Sequence, residues 1–264
     1  MNHFSLFTGI GGIDLAAEWA GFETVGQCEF ADYPTKVLEK HWPDIPRWRD
    51  VRYVTVQSVR ERGIESVTLL SGGFPCQPHS LAGERKASAD ERDLWGEFAR
   101  IICEIKPRWV LGENVRGLLS SEDGRFFGRV LNDLADMGYN AGWCVYGADR
   151  VGAPHQRERV FIVAHSNGQR LERLRKGGKI SRDVSQKGVA LISSNYGTQA
   201  WNKGESEFLR MGDGVSNRVD RIKCLGNAVV PQQVYPILQA IADIENSAKE
   251  ATNGPIPRTK TAPG

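Results

Sequence analysis

The chain runs to 264 residues with 40% hydrophobic side chains and a formal net charge of +2, the size and balance of one globular domain, or one with a small appendage. Five cysteines, an odd number nowhere spaced CxxC, argue against a disulfide framework or a structural zinc site, so a reducing cytoplasm and no metal are expected. No apolar run approaches the roughly 18 residues of a membrane span, and the N-terminus lacks a charged region followed by a long apolar one, so no membrane partner is expected.

In chain order, His3-Phe4-Ser5-Leu6-Phe7 reads as a short strand, and Thr8-Gly9-Ile10-Gly11-Gly12 turns it into a helix reaching Ala20. Glycines in such a turn let backbone approach a cofactor at the helix N-terminus. The next strand, Thr24 to Cys28, ends in Glu29, 17 residues past Gly12 and placed to bind ribose hydroxyls. A helix from Tyr33 to His41 follows, then a short third strand, Trp48 to Val51, with a second acid, Asp50, near its end. Thr55 to Arg62 reads as helical, and Val67-Thr68-Leu69-Leu70 as a buried strand ended by Gly72-Gly73. Alternation of strand and helix predicts a parallel sheet.

The stretch SGGFPCQPHS, from Ser71 to Ser80, sets one thiol, Cys76, among glycines and prolines at a strand's exit. Pro75 and Pro78 fix their own φ angles and keep their neighbours out of helix, which stiffens the loop around a reactive atom. A cysteine that only packs needs no such setting, so Cys76 reads as a nucleophile. Ser80 to Arg92 is charged, and Leu94, Phe98, Ile101, Ile102 and Ile105 then mark a core-facing helix that Pro107 ends.

Trp109-Val110-Leu111 delivers Gly112-Glu113-Asn114-Val115 to the sheet edge that carries Cys76, where open α/β sheets bind ligands. Phe126 to Met137 reads as an amphipathic helix, with strands at Tyr139 to Tyr146 and Arg159 to Ala164. Between them Arg157 and Arg159 stand two apart, so on a strand both would face one side, suited to anchoring phosphate or bracing an active-site loop. Their alternative is surface salt bridges.

From His165 to Gly214 periodicity fails. Within it, Gly168 to Lys203 holds eight Lys or Arg against two acids, which leaves the rest of the chain near −4 and points to a polyanion partner. Regularity returns at Arg221 to Pro231, followed by a helix carrying Val234, Ile237, Leu238, Ile241 and Ile244; beyond Lys249 a disordered tail is expected.

The ordered set FSLFTGIGG, Glu29, Asp50, GGFPCQPHS, ENV, RERVFIVA and LGNAVVP resembles the cytosine-specific C5 DNA methyltransferases that use S-adenosylmethionine, and the resemblance covers Phe4 to Ile241. It implies an α/β fold, a doubly wound and mostly parallel Rossmann-like sheet. The catalytic, S-adenosylmethionine-binding domain would span residues 1–165, a short target-recognition region 166–214, and a segment returning to the catalytic domain 215–248, with 249–264 as the tail. Matched motif by motif, Phe7, Gly9, Gly11 and Gly12 would contact the cofactor's methionine end, Glu29 its ribose and Asp50 its adenine amine. Pro75, Leu94, Asn227 and Val229 would complete that pocket.

Cys76 would be the nucleophile and Glu113 the acid on the cytosine edge, with Arg157 and Arg159 bracing the base and Cys76. The family's glutamine two places before the first arginine is His155 here, with Gln156 shifted by one, and neither takes that glutamine's role. The implied partner is double-stranded DNA, with a cognate restriction endonuclease as a further partner and a monomer as the expected state. Alternatives are a catalytically silent DNA-binding relative and an RNA cytosine C5 methyltransferase. A nicotinamide dehydrogenase leaves Cys76, Glu113 and the basic insert unexplained, and a non-enzymatic interaction protein leaves the glycine turns unexplained as well.

Overall fold

A computed structural model describes residues 1–75, 94–166 and 218–253. Cys76, the Ser80 to Arg92 loop and the basic segment Gly168 to Lys203 lie outside the described residues.

Seven strands form one sheet in the order β3-β2-β1-β4-β5-β7-β6. They are β1 (Asn2–Leu6), β2 (Glu23–Cys28), β3 (Arg47–Trp48), β4 (Leu69–Gly72), β5 (Trp109–Val115), β6 (Tyr139–Tyr146) and β7 (Arg159–Ser166). The first five run parallel, while β7 enters antiparallel to both β5 and β6. Helices α1 (Gly12–Trp19), α2 (Asp32–His41), α3 (Val56–Arg60), α4 (Trp95–Ile105) and α5 (Arg125–Asp136) follow the strands as the alternation predicts, and α6 (Arg218–Asn227) and α7 (Pro231–Asn253) close the described chain.

The sheet is covered on both faces because apolar residues occupy both parities of its strands. Leu70, Val110, Val160 and Ile162 join one core with Phe98, Ile101 and Ile102 of α4 and Val130 and Leu134 of α5. Their immediate neighbours Leu69, Trp109, Leu111 and Phe161 join a second core with Ile13, Ala16 and Ala17 of α1 and Val234, Ile237, Leu238 and Ile241 of α7. The doubly wound, mostly parallel α/β architecture expected from the sequence is the one observed.

Several boundaries move, for local reasons. Strand β4 begins at Leu69 and includes Gly72, which pairs with Leu6 and Gly112, so the strand lies two residues later than the apolar run suggests. Strand β3 stops at Trp48: the Asp50 side chain accepts a hydrogen bond from the Arg52 amide at 2.9 Å and starts a short 3-10 turn, Val51–Tyr53, in place of a longer strand. Thr55 and Ser58 form a reciprocal capping box that starts α3. On α7, Ile244 is half exposed, and Glu245 turns inward instead, 2% exposed, accepting from Trp109 Nε1 at 2.8 Å and pairing with Arg108 at 3.2 Å. The same helix continues past Lys249 to Asn253, so helical hydrogen bonding persists where the tail was expected to begin.

Candidate active site

The carboxyl ends of β1, β2, β4 and β5 surround, among the described residues, a cavity of about 1270 Å³. Its floor is the turn after β1. Phe7 leaves the strand at φ 51°, Gly9 follows at φ 59° and Gly11 at φ 84°, and α1 begins at Gly12. Left-handed angles cost little for glycine and more for Phe7, which is held by packing edge-on against Phe98, ring centroids 6.3 Å apart.

Glu29, at the end of β2, braces this turn: Oε2 accepts from the Gly9 amide at 2.7 Å and Oε1 from the Ala31 amide at 2.8 Å. Burial raises its pKa, and those amide bonds work against the rise. Asp50 also lines the cavity, its carboxyl held below the ordinary range chiefly by the hydrogen bond from Arg52, with Nη2 at 2.6 Å from Oδ2.

Opposite the turn stands Glu113, 7% exposed. Register explains its partner: Glu113 pairs with Phe161 and Val115 with Arg159, so Glu113 and Arg159 are diagonal neighbours on one sheet face. Arg159 Nε lies 3.0 Å from Glu113 Oε1. Burial nevertheless pushes the Glu113 pKa up to about 7, against the pull of Arg159 and Arg157. Gly73 makes room for this carboxyl, since a Cβ there would come within 2.9 Å of Glu113 Oε2. Asn114 fixes the approach to the next loop by donating Nδ2 to the Phe74 carbonyl at 2.8 Å. Pro75, which Cys76 follows in sequence, lines the same cavity.

The remaining wall comes from the far end of the chain. Asn227, the last residue of α6, and Ala228 and Val229, which follow it, line the cavity together with Leu94. Val229 presses against the first residue of α1, where a Cβ on Gly12 would sit 2.3 Å from the Val229 carbonyl oxygen. Gly12 is thus the glycine of the turn that a close backbone approach requires.

Phe7, Gly9, Gly12, Glu29, Asp50, Pro75, Leu94, Asn227, Val229, Glu113 and Arg159 therefore meet around one space. Among the described residues, two expected ones do not line it. Gly11 faces a separate groove of about 750 Å³, where a Cβ would strike Trp42 at 2.5 Å. Arg157 lines that groove as well, together with His155. The expectation that Arg157 and Arg159 share one face fails because β7 starts only at Arg159, and Arg157 sits before it at φ 36°, outside the alternation of a strand. Sequence reading also missed Phe30, Thr8 and Cys28 in the cavity wall. Burial, then Glu29 and Asp50, push the Cys28 thiol up to about 12, so it stays protonated and unreactive.

A space of this size edged by glycine backbone, a carboxylate braced at a β2 terminus and a second acid at Asp50 fits an adenosyl cofactor: the missing Cβ atoms leave the approach open, and the acids offer acceptors to hydroxyl and amine groups. Residues 1–209 match the C-5 cytosine-specific DNA methylase family. The type II methyltransferase M.Eco47II of Escherichia coli is 39% identical over 168 residues, 61% of this chain and 39% of that protein. M.HhaI of Haemophilus parahaemolyticus is 32% identical over 168 residues, 63% of this chain and 50% of that protein. The matched region thus spans half or less of the length of these curated relatives. A crystal structure of a DNMT2 variant of Spodoptera frugiperda superposes with a TM-score of 0.63 over 91% of this chain and 99% of that one, at 15% identity, a likeness of fold.

Proposed function

The chain belongs to the C-5 cytosine-specific DNA methylases, and from that premise we propose that it methylates C5 of a flipped-out cytosine in duplex DNA through a covalent Cys76 adduct. The observation that carries the reading is Glu113: a buried carboxyl with a pKa near 7, set against Arg159 at the rim of a glycine-floored cavity.

Each residue then has a physical task. Phe7, Gly9, Gly12, Glu29, Asp50, Leu94, Asn227 and Val229 would hold the cofactor. S-adenosylmethionine, when bound, supplies the methyl group that C5 takes. Cytosine C5 is a poor nucleophile until the ring gains electrons, which the Cys76 thiolate supplies by adding to C6. As that C–S bond forms, the C5–C6 π pair shifts toward C5 and N3, and protonated Glu113 donates to N3 and stabilises the enamine. Arg159 orients Glu113 by donating Nε to its Oε1, which leaves Oε2 to carry the proton. After methylation a base removes the C5 proton, the electron pair reforms C5–C6, Cys76 leaves as thiolate and N3 returns its proton to Glu113. The target must leave the stack for C6 to be reached, at a cost of a few kcal/mol offset by pocket contacts.

Incubation with radiolabelled S-adenosylmethionine and duplex DNA is expected to label DNA and leave RNA unlabelled, and bisulfite sequencing of DNA from expressing cells should read out the target site. Label entering RNA alone would overturn the DNA assignment. Gly12→Ala is expected to weaken S-adenosylmethionine binding by about tenfold or more, because its Cβ would have to displace the Val229 carbonyl, a backbone group with little room to move. Calorimetric titration at a temperature where the variant is folded checks this.

A further inference from the structure

The stretch from Gly226 to Val230, the end of α6 and its link to α7, is a partition. Its Asn227, Ala228 and Val229 face the cofactor cavity, while Ala228, Val229 and Val230 also line the groove that contains Arg157. Val229 abuts Gly12. From behind, Arg157 Nη2 donates to both the Gly226 and the Ala228 carbonyl at 2.5 Å. These carbonyls stand at the C-terminal end of α6, where helix geometry leaves C=O groups without intrahelical partners and the macrodipole favours a cation.

Arg157 is itself gripped by the segment it grips. Gln233, fully buried in the first turn of α7, donates Nε2 to the Arg157 carbonyl at 3.0 Å and to the Tyr146 carbonyl at 2.5 Å. That pair of bonds ties the end of β6 and the strained Arg157 turn, φ 36°, to the helix that follows the partition. Side chain and main chain of Arg157 are therefore both fixed to the α6–α7 junction.

We propose that Arg157 and Gln233 are positioning residues that hold the Asn227–Val229 wall closed against Gly12 and so set cofactor affinity, whereas Arg159 serves Glu113. This rests on the reading that the cavity binds S-adenosylmethionine. It divides two arginines that stand two residues apart into one for the cofactor wall and one for the base.

Titration of the full chain with S-adenosylmethionine tests the division. Arg157→Ala is expected to weaken binding about tenfold or more, Arg157→Lys to recover most of it because an ammonium still offers donors to both carbonyls, and Arg159→Ala to leave affinity within about twofold. Gln233→Leu, which keeps the buried volume and removes the donor, is expected to weaken binding and to add little to Arg157→Ala in the double variant, since both act on one turn. Hydrogen exchange of the ligand-free protein supplies a second readout: amides from Gly226 to Val230 should exchange faster in Arg157→Ala and Gln233→Leu and unchanged in Arg159→Ala.

Unchanged affinity and unchanged exchange in Arg157→Ala would overturn the clamp, as would an equal affinity loss in Arg159→Ala. Should Arg157→Ala fail to fold, Arg157→Lys and Gln233→Leu decide the matter by the same two measurements. If the wild-type chain itself binds no S-adenosylmethionine, the cofactor reading fails, and with it the claim on affinity. The exchange pattern then still reports whether the partition is held by Arg157.

Discussion

Cys76→Ala is expected to abolish both methyl transfer and the covalent adduct that duplex DNA carrying 5-fluorocytosine should form with the wild-type chain. Fluorine at C5 cannot depart as a proton does, so the elimination that releases the enzyme stops and the C6–sulfur bond persists. Without the thiolate no electrons enter the ring, and a rate loss of about 10⁴-fold or more follows from removing the nucleophile of a covalent mechanism. Denaturing electrophoresis of the trapped complex reads the adduct directly. Among the described residues the cavity wall carries two thiols, Cys28 and Cys224. The first is disqualified by a pKa pushed to about 12. An adduct that survives in Cys76→Ala would therefore transfer the role to Cys224 and remove it from Cys76.

Glu113→Gln is expected to lower turnover by about 10²- to 10⁴-fold while leaving S-adenosylmethionine affinity nearly intact, the signature of a lost proton donor. The wild-type carboxyl titrates near 7 because it is buried, and the donating form is the protonated one. The sign follows: kcat/KM should fall as pH rises through about 7 and hold below it as far as this group is concerned. In Glu113→Gln that alkaline limb should vanish, because the amide does not titrate. Glu29→Ala should show the opposite split, weaker cofactor binding with a smaller effect on the saturated rate, since its carboxyl braces the Gly9 turn. A pH profile of Glu113→Gln that keeps the wild-type limb would take the proton-donor role away from this residue.

Much of this architecture was legible because it is written in local periodicity. The apolar stripe from Phe98 to Ile105 became α4, and strand and helix alternate as the parallel sheet demands. Sites at strand ends were legible for the same reason: once β2 and β5 are placed, Glu29 and Glu113 fall at the ligand-binding edge. What stayed hidden depends on contacts distant in sequence or on one dihedral angle. Nothing in RER announces that Arg157 adopts φ 36° and reaches residues about seventy positions later. Equally, Gly11 and Gly12 look interchangeable in the turn, yet one avoids the Trp42 ring and the other the Val229 carbonyl. Pairing of Glu113 with Arg159 required the antiparallel register of β5 and β7, which composition does not fix.

The way α7 covers α1 also bears on the order in which the protein can complete itself during synthesis. Trp109 meets Glu245 across 136 residues, and the face of α1 carrying Ile13, Ala16 and Ala17 is covered by Val234, Ile237 and Leu238. On a ribosome adding about 5–20 residues per second, the early helix waits on the order of ten to forty seconds for the late one. During that interval one face of the nascent sheet can already be sealed by α4 and α5, while Leu69, Trp109 and Leu111 on the other remain open to water. Until α7 docks, α1 alone shares that second core with the centre of the sheet, so the apolar surface left uncovered lies along the sheet's middle rather than its edge.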